Sequence, residues 1–156
     1  MNIRKIKYIP LWSLLFFGVT CAREEIFSEF HSFREAEWVR NEKVHFEIEI
    51  NDNTPNYEVL LEIRNNNNYP FQNIWLFIDI TTPAGQQRTD TVNIELADVY
   101  GKWYGRGISL YTYSVPFEQN VRYPLPGIYT YSIRQGMREE VLKGISDIGL
   151  TVKNKF

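Results

Sequence analysis

One cysteine, two histidines and many carboxylates are the side chains of this sequence that could do chemistry. Catalysis needs a nucleophile, an acid–base pair or a metal gathered at one place. The histidines, His31 and His45, fall in no recognisable motif, and neither G-x-S-x-G nor H-E-x-x-H occurs. So few sulfur and imidazole ligands also remove most zinc arrangements. Glu47, Glu49, Glu58 and Glu62 take the outward positions of alternating segments, where acids serve solubility. Asp79 interrupts an apolar stretch, so it must find a partner or reach the surface, and a structural hydrogen bond is its expected role. Asp98 opens a glycine-rich loop. The expectation is a protein with no catalytic residues and no metal site.

The reactive residue with a defined setting is Cys21. Arg4, Lys5 and Lys7 give a positive start, and the mostly apolar run Tyr8 to Val19 follows. A basic region before a short apolar one is an export signal. The run falls short of the roughly 20 apolar residues that a membrane-spanning helix needs. A lone cysteine closing such a run resembles the lipobox of bacterial lipoproteins, which implies a lipid on Cys21 and a cleaved signal peptide over residues 1–20. Gly18 and Thr20 stand where that motif usually has a larger apolar and a smaller residue. An ordinary secretory signal with an incidental cysteine, or an uncleaved anchor, are the other readings of the segment.

The chain beyond the signal must supply whatever surface does the work. Residues 21–156 amount to one domain. Removing residues 1–20 takes away three of 17 basic residues and none of 19 acidic ones, leaving a formal charge of −5. That balance gives nucleic acid no basic face to bind. With one thiol there is no intrachain disulfide, so an exported domain must rely on core burial. Aromatic residues make up 15% of the chain, a composition suited to β-structure.

Residues 21–42 read as anchor, tether and an irregular segment that packs its aromatics on the domain, with at most a short edge strand. From residue 43 the pattern sharpens. Val44, Phe46, Ile48 and Ile50 alternate with polar residues, as do Tyr57, Val59, Leu61 and Ile63. Ile74 to Ile80 is apolar on both faces except at Asp79 and predicts the most buried strand, or one covered by another element. Strands are predicted over 86–97 and 108–117, then from Ile128 to Gln135 and through Ile148, Leu150 and Val152. Met137 to Lys143 reads as a helical turn or a loop crossing. Seven to eight strands with turns between them and no long helix predict an all-β fold, an antiparallel β-sandwich over residues 43–156. Immunoglobulin-like and jelly-roll topologies both fit.

Asp98 to Gly107, DVYGKWYGRG, breaks the strand pattern, and its three glycines permit unusual backbone angles. Trp103, between Lys102 and Tyr104, is either an exposed anchor for a partner or a lid that folds back on the core.

These segments together resemble the gliding-motility lipoprotein GldH family of the Bacteroidetes. The blocks that carry the likeness run in order along the mature chain. They start with Phe30-His31-Ser32-Phe33 and Trp38, then Ile63-Arg64-Asn65-Asn66-Asn67-Asn68-Tyr69-Pro70-Phe71 and Trp75-Leu76-Phe77-Ile78. Asp90-Thr91, Leu96-Ala97-Asp98 and Gly101-Lys102-Trp103-Tyr104-Gly105-Arg106-Gly107 follow. Pro126 to Tyr131, Gln135 to Arg138 and Gly144 to Leu150 close the series. The resemblance implies a cell-envelope lipoprotein needed for gliding and linked to type IX secretion, with no enzymatic activity and no cofactor. It implies scaffolding of other envelope lipoproteins and secretion components, and membrane attachment through lipidated Cys21. The docking candidates are the Asn65–Phe71 and Gly101–Gly107 loops, with Tyr69, Phe71, Trp103 and Tyr104 as contact residues. The implied location is the outer membrane, facing the periplasm. Arg23-Glu24-Glu25 loosely resembles a surface-export signal, but an ordinary charged tether is preferred. The competing class is a surface glycan-binding module.

Overall fold

A computed structural model describes residues 24–155; Cys21 and the expected signal peptide lie outside the described residues. The alternation read from the sequence becomes strands with one dry face. Val44, Phe46, Ile48 and Ile50 are buried while His45, Glu47 and Glu49 are exposed. Ten strands form among the described residues: β1 (Glu25–Ser32), β2 (Glu37–Val39), β3 (Val44–Ile50), β4 (Asn56–Asn66), β5 (Asn73–Thr81), β6 (Gln87–Glu95), β7 (Leu110–Val121), β8 (Gly127–Gln135), β9 (Val141–Lys143) and β10 (Ile145–Lys155). All pairings are antiparallel. One sheet has the order β1-β10-β4-β7, the other β3-β8-β5-β6, and β2 pairs with β9. The inner faces of the two four-stranded sheets meet in one core that includes Phe46, Ile63, Ile78, Tyr131 and Leu150.

The expected all-β architecture is present, with more strands than the seven or eight expected. Residues 25–32, expected to be irregular, form a full edge strand along β10. Their polar residues hid the pattern, because an edge strand needs only one residue in two to meet the core. Phe27 packs edge-on against Phe46, with ring centroids 6.4 Å apart. Phe30 lies on the opposite face beneath the Arg64 guanidinium at 3.8 Å, in space that Gly149 leaves open. Residues 141–143, expected within a helical turn or loop, pair with β2 instead.

Two further expectations change. β5 is not buried on both faces: its outer face carries Trp75, 42% exposed, and Phe77 under Arg134 at 4.2 Å. Glu58 on β4, expected outside, is buried in the row where it lies in register between Lys153 on β10 and Gln119 on β7. Asp79 fills the structural role expected of it. Its carboxylate accepts from Thr89 Oγ1 at 2.8 Å and meets Lys43 Nζ at 3.4 Å. These partners, the Thr89 bond foremost, hold its pKa below the ordinary value.

Register fixes the two ends of the sandwich. Glu25, Lys153, Glu58 and Gln119 line up across the first sheet near one end. Ser32, Asp147, Arg64 and Thr112 line up near the other. The rows cross β4 six residue steps apart, at Glu58 and Arg64, about 20 Å at ~3.3 Å per step. The chain enters at the first end. Loops 33–43, 67–72, 96–109 and 136–140 gather at the second.

Candidate functional site

The loops at the second end are built from their own short-range chemistry. β4 ends at Asn66, whose Oδ1 accepts the Asn68 N–H at 2.8 Å and whose carbonyl accepts the Tyr69 N–H at 3.2 Å. Asn favours such a turn because its side chain imitates a backbone acceptor. Tyr69 then points inward. It is 3% exposed, its hydroxyl donates to the Asn73 carbonyl at 2.7 Å, and burial raises its pKa above the ordinary tyrosine value. Tyr69 is therefore core, not the contact residue expected from the sequence. Phe71, half-buried, packs edge-on against it at 5.7 Å.

The 97–110 segment folds as two tight turns. In the first, the Asp98 carboxylate accepts the N–H groups of Tyr100 and Lys102, both at 2.9 Å. The Asp98 carbonyl accepts Gly101 N–H at 2.9 Å and Gln72 Nε2 at 2.9 Å. In the second, Arg106 and Thr112 exchange backbone hydrogen bonds of 2.9 and 3.0 Å, and Tyr111 hydroxyl donates to the Ile108 carbonyl at 2.8 Å. Gly107 is required there, since a Cβ would stand 2.8 Å from the Leu110 carbonyl carbon.

Trp103 sits between the turns, half-buried. Its Nε1 donates to Asn67 Oδ1 at 3.1 Å, and its ring lies 6.3 Å from Tyr69 and 6.0 Å from Tyr111. Of its two expected roles, it takes that of the lid. Tyr104 remains half-exposed beside Tyr113. The side chains that the turns display are others: Val99, Tyr100 and Ile108, at 82%, 92% and 93% exposure. The sequence reading missed all three. Its one available signal was the turn chemistry of Asp98 and Gly101 around Tyr100.

Because the Asp98 carboxylate accepts the Tyr100 and Lys102 N–H groups while the backbone bonds of the turn do not involve its side chain, Asp98→Ala should speed amide exchange at Tyr100 and Lys102 about tenfold, the effect of ~1.4 kcal/mol. The melting midpoint should move by only a few degrees, because no core contact is lost. Exchange mapped by NMR, with the midpoint taken on the same sample, checks both.

Beside the loop, Phe71, Asn73, Trp75, Met137 and Arg138 line a cleft of about 410 Å³. Gly136 also lines it, and a Cβ there would meet the Phe77 ring at 2.8 Å. The histidines lie elsewhere and apart: His45 Nδ1 meets Ser132 Oγ at 2.8 Å on the second sheet, and His31 Nε2 lies 3.6 Å from Glu42 Oε1. A polar chain that runs from the core to the surface also escaped the sequence reading. Tyr123 and Tyr131 hydroxyls meet at 2.9 Å, Tyr131 donates to Glu118 at 3.2 Å, and Arg88 pairs with Glu118. Desolvation raises the pKa of both tyrosines, so these hydroxyls stay protonated as donors.

The family model described as GldH lipoprotein matches residues 25–152. A gliding motility lipoprotein GldH of Flavobacterium johnsoniae is 30% identical over 99% of both chains. A gliding motility lipoprotein GldH homolog of Christiangramia forsetii is 29% identical, over 94% of this chain and 93% of its own.

Proposed function

The chain belongs to the GldH lipoprotein family, and on that premise we propose that it is a non-catalytic scaffold of the gliding and type IX secretion machinery. The family makes it a lipid-anchored cell-envelope protein of gliding motility. The finer reading places it on the outer membrane facing the periplasm, held by a lipid on Cys21, where it docks other envelope lipoproteins and secretion components. The observation that carries docking is the pair of ordered turns displaying Val99, Tyr100 and Ile108. Loops on a rigid sandwich suit binding because ordering them costs little when the partner arrives.

A clean deletion in the native host, complemented with wild type or Cys21→Ser, tests this. Loss of both colony spreading and type IX cargo export, rescued by wild type alone, is the expected result. Loss of spreading with intact export would confine the protein to motility. No effect on either would defeat the scaffold reading. It would bring forward a surface glycan-binding module, for which the exposed Trp75 beside the Phe71–Met137 cleft is the favouring observation.

A further inference from the structure

Resting on the scaffold reading, we infer that the Asp98–Leu110 turns are a membrane-distal docking surface for a protein partner that offers an apolar pocket with an acidic rim. Three observations carry this. The first is where the anchor lies. Two residues, and so three Cα–Cα steps, separate Cys21 from Glu24, a reach of at most about 11 Å. Glu24 adjoins the end of the sandwich opposite the turns, its carbonyl accepting Asn154 N–H at 2.8 Å. A lipid on Cys21 thus holds the first end near the bilayer and aims the turns away from it.

The second observation is charge. Lys102 and Arg106 are exposed within the same segment, and neither has an ion-pair partner among the described residues. The anchored end is acidic, with Glu24, Glu49 and Asp52 around one cleft. The third is preorganisation: Tyr100 and Ile108 are displayed on backbone already fixed by hydrogen bonds. Hydrophobic anchors on a rigid loop with flanking cations fit an apolar pocket rimmed by carboxylates. Tyrosine with basic residues also suits a bilayer interface, but the anchor geometry points the turns the other way. A two-fold pair of copies through these turns would set Lys102 and Arg106 of each copy against like charges, which opposes a dimer.

The test uses the full-length, anchored protein in its native host, with a photoreactive amino acid at position 100, 108 or 53. Asn53 is exposed in the 51–55 loop of the anchored end and serves as the control. The expected result is one protein adduct shared by positions 100 and 108 and absent from 53. Lys102→Glu with Arg106→Glu should reduce it at least tenfold at unchanged levels of anchored protein. Replacing the acids beside the crosslinked peptide of the partner with Lys should restore it. Adducts to lipid alone, to a second copy of this chain, or to a protein indifferent to the charge reversal would overturn the inference, as would no adduct at all. The scaffold reading fails separately. If the charge-reversed strain spreads normally while the deletion strain does not, the surface is wrong and the scaffold stands; if the deletion strain spreads and secretes normally, both fall.

Discussion

Gly144→Ala lowers the melting midpoint by about 10 °C or more. Gly144 joins β9 to β10 with φ of +90°, which L side chains rarely adopt. A Cβ there would stand 2.6 Å from Tyr69 Cα and 2.8 Å from the Asn68 carbonyl carbon. Those are backbone atoms, so no side chain can swing aside. Gly144 also donates its N–H to the Ala36 carbonyl at 2.8 Å and accepts Asn66 N–H at 2.9 Å. Any shift therefore propagates into the turns after β1 and β4 together. Backbone strain of ~1–3 kcal/mol and a clash of similar size give roughly 3–5 kcal/mol, and each kcal/mol is worth several degrees. The seat of Tyr69, and with it the lid position of Trp103, should loosen in the same variant. Gly85→Ala is the control. That residue has φ of +79° but open space around it, so only the strain applies and the midpoint should fall by a few degrees. Thermal unfolding of the two variants side by side reads both effects, and equal shifts would show that the packing on Tyr69 carries no cost.

Trp38→Ala should cost about 3–5 kcal/mol, the range for truncating a fully buried Trp. Trp38 has no exposed surface and stacks on Phe33 with centroids 4.6 Å apart and planes 20° apart. Its Nε1 donates to the Glu42 carbonyl at 3.1 Å, so truncation also strips a backbone acceptor of its partner. Against a typical domain stability of ~5–15 kcal/mol this is a large share. Trp38→Phe keeps most of the apolar contact, loses the hydrogen bond, and should cost about 1–2 kcal/mol. Urea unfolding midpoints of the two variants measure the difference. An unchanged midpoint for Trp38→Ala would mean that residues 33–43 are appended to the fold and do not build it.

β3, β4 and β8 were legible because each places apolar residues at every second position, and strand geometry turns that spacing into a dry face. β1 was not legible. Ser28, Glu29, His31 and Ser32 hide its pattern, and it becomes a strand only because β10 offers a free edge to pair with. The short β2–β9 pair has three residues on each side and no pattern of its own; its register comes from Trp38 finding the core.

The candidate site divides the same way. The sequence by itself located two loops with turn-forming composition, Asn65–Phe71 and Asp98–Gly107, and an all-β scaffold to hold them. It did not say which aromatic of each loop faces out. Tyr69 goes inward because its turn rests on Gly144, some 75 residues away, where the absent Cβ leaves room. Trp103 folds back because Asn67 supplies an acceptor across the gap. Tyr100 and Ile108 are left outside as a consequence. Local composition determines where a chain can turn, because turn energies depend on neighbouring residues. Which side of the turn meets water depends on what the rest of the fold has placed beneath it, and only the tertiary structure decides that.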